Sequence, residues 1–260
     1  MIRSERAEGV TRLILDRPDK RNALDWDMIR ALTEGIEGAG NDPACRCVVV
    51  KGAGGHFCAG RDLGAGRGRD ADLEQVLADD DTYQALFEAL RRLRKPSVAV
   101  VRGYAVAGGF TLAMGCDFVL AEREARFGAL EMRGGFPAAV NTAILSHLVG
   151  PRLALELLLS ADTFAAPHLH GMGLVNRLAA DADELERIER EFVEGLVGLE
   201  PVAVRLTKET HHAVATMPLG EALSVAKQLN ALLMASGRID KAAEFFARAK
   251  ERRAATENDT

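Results

Sequence analysis

The stretch KPSVAVVRGYAVAGGFTLAMGCD, residues 95–117, combines a strand signal, a glycine-rich turn and a helix signal. Residues 97–102 are rich in valine and follow Pro96, which is typical of a strand buried on both faces. Gly108 and Gly109 predict a turn, and residues 110–116 predict the start of a helix. Such a junction brings backbone N–H groups close to an anion, and the helix N-terminus adds positive potential. We therefore expect an anion or oxyanion site here.

The glycine spacing excludes two familiar phosphate-binding motifs. A dinucleotide fingerprint requires G-x-G-x-x-G, whereas Gly103 is followed by Gly108 and Gly109, so a nicotinamide-dependent oxidoreductase is disfavoured. No Gly-Lys-Ser/Thr follows, which excludes a P-loop. A backbone oxyanion site requires a second N–H group from another segment. The candidate segment is HFCAGRDL, residues 56–63. Its glycine, Gly60, lies just before Asp62, which is predicted to start a helix.

The first half of the chain alternates strand and helix signals, and helix signals dominate from about residue 150 onward. Strands are predicted at 11–16, 46–52, 97–102 and 117–122, and helices at 25–39, capped by Asp25, and at 82–94. Residues 64–81, where glycine and charge crowd together, are predicted as a loop. This order predicts an α/β core over residues 1–198 and a helical C-terminal region over residues 199–260.

Composition excludes several classes of protein. The chain has 260 residues, 48% of them hydrophobic, and a net charge of −5, which disfavours nucleic-acid binding. No apolar run is long enough to span a bilayer, and residues 1–20 do not resemble a signal peptide. The four cysteines lack the spacing of metal ligands, and so do His168 and His170, so we expect no metal site. We also expect a reduced, cytoplasmic setting. The cysteines are Cys45, Cys47, Cys58 and Cys116.

Several segments together resemble the crotonase, or enoyl-CoA hydratase/isomerase, superfamily. The matching segments occur in the family's order and at its spacing over almost the whole chain: RPDKRNAL (17–24), GGHFCAGRDL (54–63), KPSVAVVRGYAVAGGFTLAMGCD (95–117), ARFGALE (125–131), GLVNRL (173–178) and AAEFFARAKERR (242–253). The resemblance implies a spiral of ββα units with a C-terminal helical region that packs in a trimer or a dimer of trimers. It also implies an acyl-CoA substrate, with CoA as part of the substrate and no separate cofactor.

The resemblance also implies residue roles. The substrate thioester carbonyl would lie between the backbone N–H groups of Arg61 and Gly108, and Glu131 would be the catalytic acid. The backbone of Ala59 would meet the adenine, Ala23 would lie along the pantetheine arm, and Lys20 or Arg21 would lie near the phosphates. The remaining expected substrate or CoA contacts are Asp62, Gly109 and Thr111.

The family's common two-glutamate layout is incomplete in this chain. Hydratases of the family carry a first glutamate three residues after the oxyanion glycine, where this chain has Thr111, and a second one where it has Glu131. A single acid can move a proton between two carbons of one enolate, which suffices for double-bond isomerisation. The expectation is therefore hydration or isomerisation of an enoyl-CoA. The alternatives are a hydratase-lyase for an aromatic or alicyclic enoyl-CoA, and a catalytically weak acyl-CoA-binding member.

Overall fold

A computed structural model of the chain describes residues 1–62, 64 and 72–235. The chain divides into two compact units, Met1–Val204 and a second unit that begins at Arg205. The boundary predicted from the sequence lay after residue 198. Residues 242–253, the last segment that resembles the family, lie outside the described residues.

The first unit contains two sheets. The larger sheet has the strand order β1-β2-β3-β4-β6-β9, with β1 antiparallel to β2 and the other pairs parallel. Its strands are β1 (Ile2–Ala7), β2 (Val10–Leu15), β3 (Cys47–Gly52), β4 (Ser97–Val101), β6 (Phe118–Glu122) and β9 (Arg177–Ala179). The smaller sheet has the order β5-β7-β8, formed by β5 (Tyr104–Val106), β7 (Arg126–Gly128) and β8 (Phe164–Ala165).

In its described part, the first unit contains seven complete helices that cover or connect the sheets and the first residues of an eighth. They are α1 (Trp26–Asn41), α2 (Leu73–Arg92), α3 (Gly108–Gly115), α4 (Ala139–Leu148), α5 (Pro151–Leu159), α6 (Ala166–Gly171), α7 (Ala182–Val197) and α8 (Pro201–Val214). Short 3-10 helices occupy Pro18–Lys20 and Leu130–Gly134. The Asp25 carboxylate accepts a hydrogen bond from the Met28 N–H at 2.8 Å, which confirms the predicted N-cap of α1.

A strand in the large sheet, a strand in the small sheet and a helix form the repeating unit. The chain runs from β4 to β5 and into α3, and then from β6 to β7 and on to α4 and α5. The main apolar core lies between the helices and the sheets and includes Phe57, Phe110 and Phe127, all fully buried. This arrangement is the predicted α/β spiral of ββα units.

The prediction of a loop over residues 64–81 is wrong in its second half. Helix α2 begins at Leu73, nine residues before the predicted start at Thr82. The Asp72 carboxylate caps it by accepting a hydrogen bond from the Gln75 N–H at 2.8 Å. The first turns of α2 expose Leu73, Val76 and Leu77, so their apolar residues do not give the pattern of a helix packed on a core.

The second unit contains most of α8 and all of α9 (Leu219–Ala235) within its described part. Helix α9 presents large apolar side chains to solvent in the single chain: Leu219, Leu223, Leu232 and Met234 are all more than half exposed. None of the helices in the described part of the chain combines the length and the apolar character needed to cross a bilayer.

Candidate active site

The site forms where two neighbouring parallel strands of the small sheet end. Strands β5 and β7 pair in register up to Val106 and Gly128, and the Ala107 N–H donates to the Gly128 carbonyl at 2.8 Å. Gly108 therefore follows one strand end, and Glu131 follows the other three residues beyond Gly128. Because the carboxyl ends of parallel strands meet at one edge, these two positions belong to one site.

The segment Cys58–Arg61 lies against the end of β5 and supplies the second backbone donor. Cys58 pairs with Ala105 through two hydrogen bonds, Cys58 N–H to the Tyr104 carbonyl at 2.9 Å and Val106 N–H to the Cys58 carbonyl at 3.0 Å. A β-carbon at Gly108 would lie 3.4 Å from the Arg61 nitrogen, so the two segments are in contact. In the described part of the chain, the amides of Arg61 and Gly108 have no hydrogen-bond acceptor.

The two adjacent glycines are required by close packing, which differs from the predicted turn. Gly108 and Gly109 are the first residues of α3, and the positive φ of 50° at the turn belongs to Ala107. A β-carbon at Gly109 would lie 2.2 Å from the Cys58 carbonyl oxygen, and one at Gly108 would lie 2.7 Å from the Tyr83 hydroxyl oxygen. The glycines therefore allow the helix end to approach the Cys58–Arg61 segment.

A cavity of about 490 Å³ lies in front of these amides. Its polar lining includes Arg61, Asp80, Tyr83, Thr111, Glu131 and Asn141, and its apolar lining includes Val76, Leu130, Phe136 and Val140. Of the residues predicted from the sequence, the cavity therefore brings together Ala59, Arg61, Gly108, Thr111 and Glu131. Gly109, Lys20, Arg21, Ala23 and Asp62 do not line it.

Glu131 is held from one side only. Its Oε1 accepts a hydrogen bond from the Asn141 Nδ2 at 2.9 Å, whereas its Oε2 is buried and has no partner in the described part of the chain. Burial of the carboxylate raises the pKa of Glu131, and this effect outweighs the lowering by hydrogen bonds and by the Arg61 charge. A buried carboxylate with one unbonded oxygen is suited to accept and return a proton.

The raised pKa makes the stability contribution of Glu131 depend on pH. Because the folded pKa lies above the unfolded one, this contribution is present below the unfolded pKa and is lost as pH rises through the folded pKa. Since Glu131→Gln has no charge to bury, we expect a higher Tm than wild type at about pH 7 and a smaller difference at about pH 4.5. Thermal unfolding at both pH values measures this. An equal Tm difference at both would contradict the assigned environment.

Thr111 occupies the position of the missing first glutamate of the two-glutamate layout, and the Tyr83 hydroxyl lies next to it. Thr111 is buried, its Oγ1 donates to the Ala107 carbonyl at 3.2 Å, and its hydroxyl also pairs with that of Tyr83. Burial raises the pKa of Tyr83 above its usual range, so this phenol stays protonated. The Arg61 guanidinium lies 5.0 Å from the centre of the Tyr83 ring and 3.4 Å from an Asp80 oxygen.

The residues expected to contact CoA include Ala59, which lines the cavity, and Lys20, Arg21 and Ala23 on the neighbouring segment that pairs with it. The Ala59 N–H donates to the Arg21 carbonyl at 3.0 Å and the Leu24 N–H to the Gly60 carbonyl at 2.8 Å. The Lys20 and Arg21 side chains are exposed, and Ala23 is half-buried. The 3-10 helix ends at Lys20, and its C-cap, Arg21, has a positive φ of 49°.

The helix predicted to start at Asp62 falls mostly outside the described residues. Of residues 63–71 only Gly64 is described, and it has a 3-10 helical conformation. The Asp62 carboxylate accepts from the Arg17 guanidinium at 2.7 Å and from the Gly64 N–H at 3.0 Å. The Asp62 carboxylate is therefore occupied by protein groups, and the longer helix α2 has its own N-cap at Asp72.

Sequence reasoning missed Tyr83 and Asn141. Tyr83 lies on α2 at a spacing that indicates a packing residue, and Asn141 lies in the first turn of α4. A polar residue among the apolar positions of residues 136–145 was the one available signal for Asn141. The described residues also contain no group of three or more His, Cys, Asp or Glu side chains placed to hold a metal.

The chain is similar to known proteins over most of its length. Residues 5–256 match the family model for enoyl-CoA hydratase/isomerase. The chain is similar to the 2,3-dehydroadipyl-CoA hydratase of Escherichia coli K12, with 32% identity over 232 residues that cover 89% of each chain. It is 30% identical over 219 residues to the peroxisomal Delta(3,5)-Delta(2,4)-dienoyl-CoA isomerase of Arabidopsis thaliana, which covers 80% of this chain and 79% of the relative.

A solved structure is also similar over most of the chain. The crystal structure of the enoyl-CoA hydratase of Mycobacterium smegmatis superposes with a TM-score of 0.85, at 31% identity, and covers 90% of both chains. The chain therefore belongs to the enoyl-CoA hydratase/isomerase family of the crotonase superfamily, which confirms the resemblance and the fold predicted from the sequence. Its relatives include both hydratases and an isomerase.

Proposed function

We propose that this protein acts on an enoyl-CoA thioester through an enolate, with Glu131 as the acid–base group. The observation that carries the proposal is the buried, unbonded Oε2 of Glu131, a residue that lines the same cavity as Arg61 and Gly108. The thioester oxygen would accept hydrogen bonds from the backbone N–H groups of Arg61 and Gly108. Donors aimed at developing negative charge stabilise the transition state by about 2.7–4 kcal/mol each.

The proposed proton transfers balance within one residue. In isomerisation, the Glu131 carboxylate removes a proton from the carbon next to the double bond, the electrons move onto the thioester oxygen, and the protonated acid returns the proton to another carbon of the same dienolate. In hydration, the Glu131 carboxylate removes a proton from the water whose oxygen bonds to the β-carbon, the electrons of the double bond move onto the thioester oxygen, and the protonated Glu131 then gives that proton to the α-carbon. Both reactions pass through the same stabilised enolate.

A second acid in the cavity, Asp80, differs from Glu131 in its surroundings. Its side chain is 54% exposed and forms an ion pair with Arg61 at 3.4 Å. An exposed carboxylate paired with a cation is solvated and held by that cation, whereas Glu131 has one buried oxygen without a partner among the described residues. We therefore assign proton transfer to Glu131 and use Asp80 as the matched comparison.

Thr111 and Tyr83 place neutral hydroxyl groups where the two-glutamate mechanism requires a carboxylate. This favours isomerisation, or hydration of a bulky enoyl group, by a mechanism other than the two-glutamate one. No carboxylate stands at position 111 to position a water molecule. Phe136, Val140 and Tyr83 all line the cavity, which suits an aromatic or alicyclic acyl group. A hydratase-lyase acting on such a thioester is therefore the second candidate.

A panel of enoyl-CoA thioesters tests this function. Straight-chain, branched, alicyclic and aromatic 2-enoyl-CoA and 3-enoyl-CoA thioesters are incubated with the protein, and water addition, double-bond migration and chain cleavage are followed by mass and absorbance. Turnover of at least one thioester supports the proposal. Tight binding of the thioesters with no turnover of any would instead favour the acyl-CoA-binding alternative.

The CoA-binding residues and the compartment are part of the same proposal. Lys20 or Arg21 would pair with the phosphate groups, the Ala59 backbone would meet the adenine, and Ala23 would lie along the pantetheine arm. This is supported by the exposure of the two cations beside the Ala59 segment. The four cysteines are buried free thiols, and burial raises the pKa of the Cys58 thiol to about 12, which suits a reducing, cytoplasmic setting.

We also propose that residues 199–260 form an oligomerisation region. Helix α9 exposes more large apolar side chains than is expected of a helix whose outer face is solvated. These side chains are Leu219, Leu223, Leu232 and Met234. A cyclic trimer or a dimer of trimers would bury them. We expect light scattering to give a single species whose mass is a multiple of three chains. A stable monomer with full activity would contradict this proposal.

A further inference from the structure

The side chain of Asn141 connects the two halves of the candidate active site. Its Nδ2 donates to the Glu131 Oε1 at 2.9 Å and to the Ala107 carbonyl at 3.2 Å. Ala107 is the positive-φ residue directly before Gly108, and its carbonyl also accepts from the Phe110 and Thr111 N–H groups at the start of α3. One amide group therefore contacts both the acid and the turn that presents the Gly108 N–H.

The orientation of this amide is fixed by its partners. Both neighbouring atoms, a carboxylate oxygen and a backbone carbonyl oxygen, can only accept here, so the NH₂ side of Asn141 must face them. Asn141 is 1% exposed, and its Oδ1 has no partner among the described residues. An amide buried with half of its hydrogen-bonding capacity unused costs free energy, and such unsatisfied groups in folded proteins call for a specific explanation.

We propose that Asn141 is a positioning residue that holds Glu131 by its Oε1, so that Oε2 is the oxygen that exchanges protons with the substrate. The same contact fixes the distance between this oxygen and the backbone donors at Gly108, because Asn141 is also bonded to Ala107. This inference rests on the proposed acid–base role of Glu131. It adds a residue that neither the sequence motifs nor the family comparison identified.

The hydrogen bond also affects the protonation of Glu131. A donor to a carboxylate stabilises its charged form, so loss of the Asn141 donor raises the Glu131 pKa further. The other ionisable groups near Glu131 would stay in place: Arg61, Asp80 and Tyr83 line the cavity, Arg133 of the same 3-10 helix pairs with Asp162, and Arg152, Glu156 and His147 of the neighbouring helices are exposed.

The test compares Asn141→Leu and Asn141→Asp with wild type and with Asn176→Leu. Asn176 accepts a hydrogen bond from the Val119 N–H at 2.7 Å, away from the cavity, so its variant measures the general cost of losing an asparagine hydrogen bond. The readout is the rate of α-proton exchange of butyryl-CoA in D2O as a function of pH. This exchange requires neither a double bond in the acyl group nor the addition of water to it.

We expect both Asn141 variants to lower the exchange rate about tenfold or more at neutral pH and to move the acid limb of the profile to higher pH. Butyryl-CoA affinity should stay within a few fold, and Asn176→Leu should keep the wild-type acid limb. A folded Asn141 variant with the wild-type rate and limb would overturn the inference. If Asn141→Leu does not fold, the isosteric Asn141→Asp decides. If Glu131→Gln also exchanges like wild type, the proposed function fails instead.

Discussion

Glu131→Gln is expected to lower kcat about 10²-fold or more on any thioester that the wild-type protein converts. The substitution keeps the size of the side chain and an oxygen for the Asn141 donor, but it removes the proton acceptor at Oε2. General acid–base groups contribute about 10²–10⁴-fold to the rate. Steady-state kinetics measure this, and we expect KM to change only a few fold because the contacts proposed for CoA are elsewhere.

The control for this result is Asp80→Asn, which removes the other carboxylate of the cavity. Since Asp80 is more than half exposed and paired with Arg61, we expect kcat to stay within about fivefold of wild type. A large loss in Asp80→Asn together with a small loss in Glu131→Gln would reverse the assignment of the two acids.

Gly109→Ala is expected to cost about 3 kcal/mol of folding free energy. The new β-carbon would lie 2.2 Å from the Cys58 carbonyl oxygen, which is itself bonded to the Val106 N–H at 3.0 Å. The contact is between backbone atoms, so relief requires movement of α3 or of the segment that carries the Arg61 amide. Chemical denaturation measures the stability, and we expect any folded fraction to lose activity as well.

A second glycine of the same helix provides the comparison. A β-carbon at Gly115 would meet the Leu90 and Phe87 side chains at 3.4 Å, which is ordinary van der Waals contact. Gly115→Ala should therefore leave the free energy of unfolding within about 1 kcal/mol of wild type. Equal stability of the two alanine variants would show that the close approach of Gly109 to Cys58 is unimportant.

The strands of the large sheet were predictable where burial dominates the sequence. The four predicted strands match β2, β3, β4 and β6 to within a residue at each end, because valine-rich runs fill both faces of a buried parallel strand. Strand β1 was not predicted, since half of its residues are charged, all but Ile2 are exposed, and its pairing depends on the turn at Glu8 and Gly9. Strands β5, β7, β8 and β9 have two or three residues, too few for a periodic pattern.

Only those parts of the candidate site that lie within a short sequence motif could be predicted from the sequence. The glycine pair and the Arg61 segment indicated an oxyanion site from the sequence, and Glu131 followed from the family resemblance. The contacts of Asn141 with Glu131 and Ala107 join positions ten and 34 residues apart, so no local pattern records them. The role of the glycines also needed the structure, because their spacing alone suggests a turn whereas packing against Cys58 explains them.

Solvent deuterium exchange with butyryl-CoA tests the central claim most directly. A saturated acyl-CoA cannot add water or shift a double bond, so exchange at its α-carbon reports enolate formation alone. We predict that the wild-type protein and Asp80→Asn incorporate deuterium, detected as a mass increase, and that Glu131→Gln does so at least about 10²-fold more slowly. Exchange by Glu131→Gln at the wild-type rate would contradict the assignment of Glu131 as the proton-transfer group.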